Sequence, residues 1–239
     1  PLTSSIESDA LPYLTLPVPR SLNPAKIKSY EIEASLKGHK KAVYCCAFEP
    51  TQGFYIATCS HDMTCVVWDV RTRSRVRALK EHAGWIMHLA WTPDGNFLIT
   101  ASADKTIKMF SAHQNFVWSS YECIHTFVGH SGIVMGIAIT PDSSKMISCG
   151  KDKTIRLWDL KDAVKNLLRK ESDRAQIYCI KGNPEYYDGH AHTVMKACFN
   201  PNGTDFMTCS EDMTIKRWLL DSGELVMTYT GHKEPVLAV

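Results

Sequence analysis

Short runs of apolar residues recur along the chain and are separated by polar turns. Four of these runs follow a histidine at nearly the same distance, and each is closed by a turn that contains a proline. A second and a third run follow before the next histidine. Runs of this length, bounded by Pro, Asp and Asn, are typical of β-strands. The four first runs are Val43–Phe48, Ile86–Trp91, Val134–Ile139 and Val194–Phe199.

A set of polar residues repeats in register with these runs. Each histidine is followed 22 or 23 residues later by an aspartate, with a hydroxyl residue four positions before it and a large aromatic six positions after it. A constant unit joined by connections of variable length is typical of repeat proteins. The four sets are His39, Thr58, Asp62, Trp68; His82, Thr100, Asp104, Phe110; His130, Ser148, Asp152, Trp158; and His190, Thr208, Asp212, Trp218.

Each repeat is predicted to form one four-stranded antiparallel sheet. A single sheet of this size cannot bury both faces, so we expect the sheets to pack side by side around an axis. The predicted units are residues 37–79, 80–127, 128–187 and 188–229, with the start of a fifth at 230–239. Residues 1–29 contain five prolines and little periodicity, which predicts a flexible leader.

The recurrent Gly-His pairs, with Trp68-Asp69 and Trp158-Asp159, resemble the WD40-repeat family of β-propellers over roughly residues 31–239. The resemblance implies an all-β fold with four complete four-stranded blades and the start of a fifth. Rings of this family most often have seven blades. We therefore expect a fragment of a seven-bladed ring, with an outer strand at residues 30–36 closing it; the alternative is a complete, smaller ring.

The recurring His, Ser/Thr and Asp could suggest catalysis, but a catalytic triad occurs once per site and this set occurs in every repeat. We expect instead a buried hydrogen-bond chain in each blade, from the indole to the hydroxyl, the imidazole and the carboxylate. The family resemblance implies the same structural role. In the second blade Phe110 lacks the indole and Glu81 replaces the glycine, so we expect a weaker network, with Thr100 turning to backbone or water.

The resemblance also implies that three positions per repeat face a ligand surface: the third and fifth after the histidine and the one before the aspartate. These positions are mostly apolar, which favours a protein or peptide partner. The alternative is that some of them line the central channel and pack on each other. Lys151 is the one basic residue among them, which argues against nucleic acid. The candidate partner-binding residues are Tyr44, Trp85, Met87, Ile133, Met135, Lys151, Met195 and Glu211.

A second possible surface is basic. Arg71, Arg73, Arg75 and Arg77 alternate at strand period and predict a charged outer strand, either protecting an edge or binding an acidic or phosphorylated partner. Trp68-Asp69-Val70-Arg71 is also similar to the box through which some propellers dock, as substrate receptors, to cullin-4 RING ubiquitin ligases. Arg71 would then contact the ligase adaptor. Two long connections interrupt the repeat, at residues 111–126 and 161–188, and the second contains a helix-capable stretch. They are either loops that determine the choice of partner or tolerated surface insertions.

Composition narrows the function classes. The net charge is +2 and 44% of residues are hydrophobic, so no global charge favours nucleic acid or a membrane surface. The nine cysteines contain no C-x-x-C pair and are expected to be small buried side chains in a reducing compartment. There is no phosphate loop, metal-ligand spacing or nucleophile elbow. We therefore expect a non-enzymatic scaffold without cofactors, working in the cytoplasm, the nucleus or both, possibly inside a multi-subunit complex.

Overall fold

The computed structural model describes residues 34–112, 122–161, 163 and 189–239. These residues form four antiparallel sheets, which confirms the predicted all-β class. The first sheet consists of β1 (Val43–Phe48), β2 (Tyr55–Ser60), β3 (Cys65–Asp69) and β4 (Ser74–Leu79). The second consists of β5 (Ile86–Trp91), β6 (Phe97–Ser102), β7 (Thr106–Ser111) and β8 (Cys123–Val128). The third consists of β9 (Val134–Ile139), β10 (Lys145–Gly150) and β11 (Ile155–Asp159), and the fourth of β12 (Val194–Phe199), β13 (Asp205–Ser210), β14 (Ile215–Leu219) and β15 (Leu225–Tyr229).

The sheets pack side by side, in chain order. The first strand of each sheet contacts the first strand of the next: β1 with β5, β5 with β9, and β9 with β12. Buried apolar clusters fill the space between neighbouring sheets. Val67 packs with Leu98 between the first two, Met109 with Met146 between the second and third, and Ile147 with Phe206 between the third and fourth. Each sheet thus buries a face against its neighbour, as the repeat pattern requires.

Several expectations lie outside the described residues. They are the predicted leader at residues 1–29 and most of the predicted closing strand at residues 30–36. Nearly all of the helix-capable stretch in the 161–188 connection, and the fourth strand expected in the third blade, also lie outside the described residues. Contacts divide the chain into two units, Pro1–Ser35 and Leu36–Val239, and the fifteen strands of the described residues belong to the second. In the stretches that the structure describes, no helix is long and apolar enough to cross a membrane.

The prediction of a continuous arginine-bearing strand is wrong at its start. The β3 strand ends at Asp69, whose carboxylate accepts the backbone N–H groups of Arg71 and Thr72 and closes a turn. Arg73 lies in the left-handed region at φ 57°, so it cannot continue a strand. Only Arg75 and Arg77 lie on β4, where both are exposed.

Candidate functional site

The third blade shows the recurrent polar residues as a closed hydrogen-bond chain. The Trp158 indole Nε1–H donates to Ser148 Oγ at 2.7 Å, and that hydroxyl lies 2.7 Å from His130 Nε2. The other ring nitrogen, Nδ1, lies 2.7 Å from Asp152 Oδ2. A neutral imidazole satisfies every link: Nδ1–H donates to the carboxylate, and Nε2 accepts from the hydroxyl.

The first and fourth blades contain the same chain. In the first blade, His39 lies 3.0 Å from Asp62 and 2.8 Å from Thr58, which accepts the Trp68 indole N–H at 2.8 Å. In the fourth, His190 lies 2.7 Å from Asp212 and 2.8 Å from Thr208, which accepts from Trp218 at 2.9 Å. One arrangement therefore occurs three times, in three separate sheets.

The second blade keeps most of the chain without an indole. His82 lies 2.7 Å from Asp104 and 2.8 Å from Thr100, so Thr100 does not need the backbone or water partner expected from the sequence. The buried Phe110 occupies the place of the tryptophan. The network has lost one donor, and the hydroxyl keeps the imidazole as its partner.

Two departures of the second blade have one physical explanation. In the fourth blade, a Cβ on Gly189 would lie 2.9 Å from Trp218 Cη2, and in the first blade a Cβ on Gly38 would lie 2.7 Å from Trp68 Cη2. A glycine is therefore needed where the outer indole ring packs against the backbone. Phenylalanine lacks those outer ring atoms, so Glu81 is accommodated where Phe110 replaces the tryptophan.

The aspartates receive two further hydrogen bonds that the sequence analysis did not assign. In the third blade, Asp152 accepts the backbone N–H of Ser131 at 3.0 Å and the Thr154 hydroxyl at 2.8 Å. The other blades repeat both contacts. A threonine stands two residues after the aspartate in every repeat, and this constant spacing could have predicted the hydroxyl contact. In every blade the residue after the aspartate has a positive φ, which is typical of a three-residue hairpin loop.

Burial and hydrogen bonding fix the protonation of this network. Burial alone would raise the pKa of Asp152, but hydrogen bonds from His130 and Thr154 hold it well below its usual range. The same balance lowers the pKa of Asp212 to about 2. Burial lowers the pKa of His130 and His190 and outweighs the opposing effect of their aspartates. In the third and fourth blades, an ionised carboxylate therefore faces a neutral imidazole.

The network offers no route to nucleophilic chemistry. The Ser148 hydroxyl is fully buried and already holds two partners, so a substrate carbonyl has no access to it. Among the residues that the structure describes, no group of three or more His, Cys, Asp and Glu side chains could hold a metal ion. The geometry supports a structural role, in which the histidine-bearing loop is held to the inner strands of its blade.

The loops that carry these networks also contain the three candidate positions of each repeat: the third and fifth residues after the histidine and the residue before the aspartate. We call these positions the rim. In each blade, the N–H of the residue before the aspartate donates to the carbonyl three positions after the histidine, as from Lys151 to Ile133 at 2.8 Å. The residue five positions after the histidine is left unpaired at a β-bulge. Bulges redirect side chains out of the regular alternation. The bulged residues are Tyr44, Met87, Met135 and Met195.

An aromatic cluster joins the rims of the first two blades. The His61 ring lies 3.7 Å from the Trp85 ring, edge to face, and 5.9 Å from the Tyr44 ring. Tyr44 is 47% exposed and Trp85 is 41% exposed. We call Tyr44, His61 and Trp85 the rim cluster. His61 stands directly before Asp62, at the position equivalent to Lys151 and Glu211, but it was not among the predicted partner-binding residues.

The other candidates differ in exposure. Met87, Met135 and Met195 are half-buried, as are Ile133 and Glu211, whereas Lys151 is exposed. Each of the half-buried side chains therefore has one part exposed and one part buried. The arrangement is compatible with both the binding surface and the packed channel lining that the sequence left open.

Arg71 lies in the turn after β3. Its guanidinium contacts the Asp69 carboxylate, with an Nη2–Oδ2 distance of 2.9 Å, and lies 4.2 Å from the centre of the Phe54 ring. Its side chain is 52% exposed. All of these contacts are with residues of the same blade, and none of them indicates that Arg71 binds a ligase adaptor.

Comparison with known proteins identifies the repeat. The family described as "WD domain, G-beta repeat" matches residues 30–69, 73–111, 121–159 and 175–218. The chain belongs to the WD40-repeat family. The matched segments contain the strands of the first three sheets and most of the fourth, whose last strand lies beyond residue 218. The predicted propeller class is confirmed.

Similar proteins carry the same repeat in longer chains. The chain is 34% identical to nuclear distribution protein PAC1 of Komagataella phaffii over 93 residues, which are 36% of this chain and 19% of that protein. It is 35% identical to WD repeat-containing protein 1 of Gallus gallus over 95 residues, 38% of this chain and 15% of that protein. It is also 29% identical to a subunit of chromatin assembly factor 1 of Gallus gallus over 84 residues, 35% and 15% of the two chains. The chain thus spans less than a fifth of each relative's length.

Proposed function

We propose that this WD40 chain is a non-catalytic scaffold that binds a protein or peptide partner over its loop rim. The strands supply a rigid frame, and the hydrogen-bond networks hold the rim loops in place. The rim then acts through surface contact, without covalent chemistry. The relatives support this class, since one of them is a subunit of an assembly factor.

The exposure of Trp85 is the observation that carries the proposal. A tryptophan that is 41% exposed, with its ring fixed by His61, offers a large apolar surface at little cost in conformational entropy. Aromatic residues dominate the energetics of protein interfaces. The half-buried methionines of the neighbouring rim positions add an adaptable apolar surface.

The charges of the rim favour a partner with little net charge. Lys151 and Glu211 lie at equivalent positions of the third and fourth blades and carry opposite signs. Nucleic acid requires a continuous basic surface, which this pair does not provide. We propose the cytoplasm, the nucleus or both as the location. The eight cysteines in the described stretches are free thiols, which supports a reducing compartment.

The proposal is tested by removing the rim's apolar groups. The double variant Trp85→Ala/Met135→Ala should lose at least about 2 kcal/mol of binding, or roughly 30-fold in affinity, because truncation of a hot-spot residue, most often a tryptophan, tyrosine or arginine, costs about that much or more. Partners captured from cell extract are quantified by mass spectrometry against wild type.

Val70→Ala is the matched control, since Val70 is also an exposed apolar residue (38%) but lies in the turn after β3, away from the rim. It should leave capture unchanged, and all variants should keep their melting temperature within a few degrees. Equal capture by the double variant and the wild type would refute the rim as the binding surface and favour the packed channel lining.

A further inference from the structure

Three cysteines lie side by side across the first blade. Cys45 on β1 is directly opposite Cys59 on β2, and Cys59 is opposite Cys65 on β3. Directly opposed residues of antiparallel strands project from the same face, with Cα atoms about 4.5 to 5.5 Å apart. A disulfide spans Cα separations of about 4.4 to 6.8 Å. The backbone register of Cys45 and Cys59 is therefore already suitable for a cross-strand disulfide.

The other blades supply an internal comparison. The position of Cys59 is occupied by Cys149 in the third blade and Cys209 in the fourth, and all three side chains are fully buried. Cys149 faces Gly136, and Cys209 faces a lysine. Among these equivalent positions, only Cys59 has a thiol across the strand pair. The repeat by itself does not require that second thiol.

Cys45 has the environment of a reactive thiol. It is half-buried, whereas Cys59 and Cys65 are fully buried. The His88 imidazole, from the first strand of the next blade, lies beside it, and His88 Nδ1 is buried without a hydrogen-bond partner. The neighbouring Cys59 thiol lowers the pKa of Cys45, against the opposing effect of burial, and His88 lowers it further. The proximity of the two thiols, together with burial, raises the pKa of Cys59.

We propose that Cys45 and Cys59 form an oxidisable dithiol, which a peroxide closes to a disulfide and a cellular thiol such as glutathione reopens. The inference goes beyond the proposed function and does not depend on it. It assigns a modification site between the first two blades, on the strand that also carries the bulged rim residue Tyr44.

The chemistry balances with one peroxide per disulfide. The Cys45 thiolate attacks one peroxide oxygen, the O–O bond breaks, and hydroxide leaves with the proton that the thiol had released, as water. The Cys59 sulfur then attacks the resulting Cys45 sulfenic acid. The S–S bond forms, the S–OH bond breaks, and hydroxide leaves with the Cys59 proton as a second water. Two thiols are oxidised and one hydrogen peroxide is reduced.

The test is peptide mapping after brief treatment of the folded chain with limiting hydrogen peroxide. Chymotrypsin cuts after Tyr44, Phe48 and Tyr55, and a protease that cleaves before aspartate cuts at Asp62. The digest therefore separates peptide 45–48 from peptide 56–61. We expect these two peptides as one species, two hydrogens lighter than their sum, and expect glutathione to separate them.

Variants assign the two sulfurs. Cys45→Ala and Cys59→Ala should abolish the linked species, and Cys46→Ala and Cys149→Ala should retain it. Alanine is a matched replacement at position 59, because Ala101 occupies that position in the second blade. If Cys59→Ala fails to fold, Cys45→Ala at the half-buried position supplies the same readout. Absence of the link in the folded wild type, or its persistence in Cys45→Ala, would overturn the proposal.

Discussion

Replacing Ser148 with alanine tests the hydrogen-bond network most simply. The substitution leaves the Trp158 indole N–H and His130 Nε2 without the partner that each has at 2.7 Å. A buried polar group left unsatisfied costs about 1–3 kcal/mol, so the two together predict a loss of about 2–6 kcal/mol. A domain is stable by only about 5–15 kcal/mol in total. The variant should therefore unfold at much lower denaturant concentration.

Urea denaturation, with the midpoint and slope fitted for each variant, measures this loss. Ser148→Thr is the matched control, because threonine occupies the equivalent position in the other three blades and keeps the hydroxyl. It should remain within about 1 kcal/mol of wild type, and exposed Ser131→Ala within about 0.5 kcal/mol. Equal stability of Ser148→Ala and Ser148→Thr would refute the reasoning.

Three further predictions follow from individual contacts. Gly189→Ala should lower the free energy of unfolding by about 1–3 kcal/mol, because the added Cβ would lie 2.9 Å from Trp218. Combining it with Trp218→Phe in a double-mutant cycle should recover part of this loss, and purely additive losses would contradict the explanation. Burial lowers the pKa of His130 and His190, so the folded state binds fewer protons and stability should fall as pH drops below about 6.5; a melting temperature that rises on acidification would be inconsistent. Arg71→Ala should leave rim-dependent capture unchanged, whereas loss of a cullin-4 adaptor from the captured set would favour the ligase-receptor alternative.

Local sequence determines the strands well. The first strand of every blade has the predicted bounds, because an apolar run between a histidine loop and a proline turn leaves little freedom at either end. The arginine series fails for a local reason as well, since the Asp69 turn interrupts the alternation.

Contacts between blades could not be derived from the sequence. His61 and Trp85 belong to different repeats, and nothing in either repeat indicates that their rings meet. The bulge at Tyr44 depends on pairing with β2, which a single strand's pattern does not reveal. The recurring histidine, hydroxyl and aspartate side chains, which were predicted from their spacing, are joined by hydrogen bonds in the structure. Their contribution to stability, and the role of the rim in binding, stay predictions.

The most direct test of the account is the protonation state of the buried histidines. Long-range ¹H–¹⁵N NMR spectra near neutral pH distinguish a protonated from an unprotonated ring nitrogen. For His130 and His190 we predict a neutral ring with a slowly exchanging proton on Nδ1, held by the aspartate, and an unprotonated Nε2 that accepts from the hydroxyl. A proton on Nε2 in place of Nδ1, or rapid exchange of the Nδ1 proton with water, would contradict a closed network inside each blade.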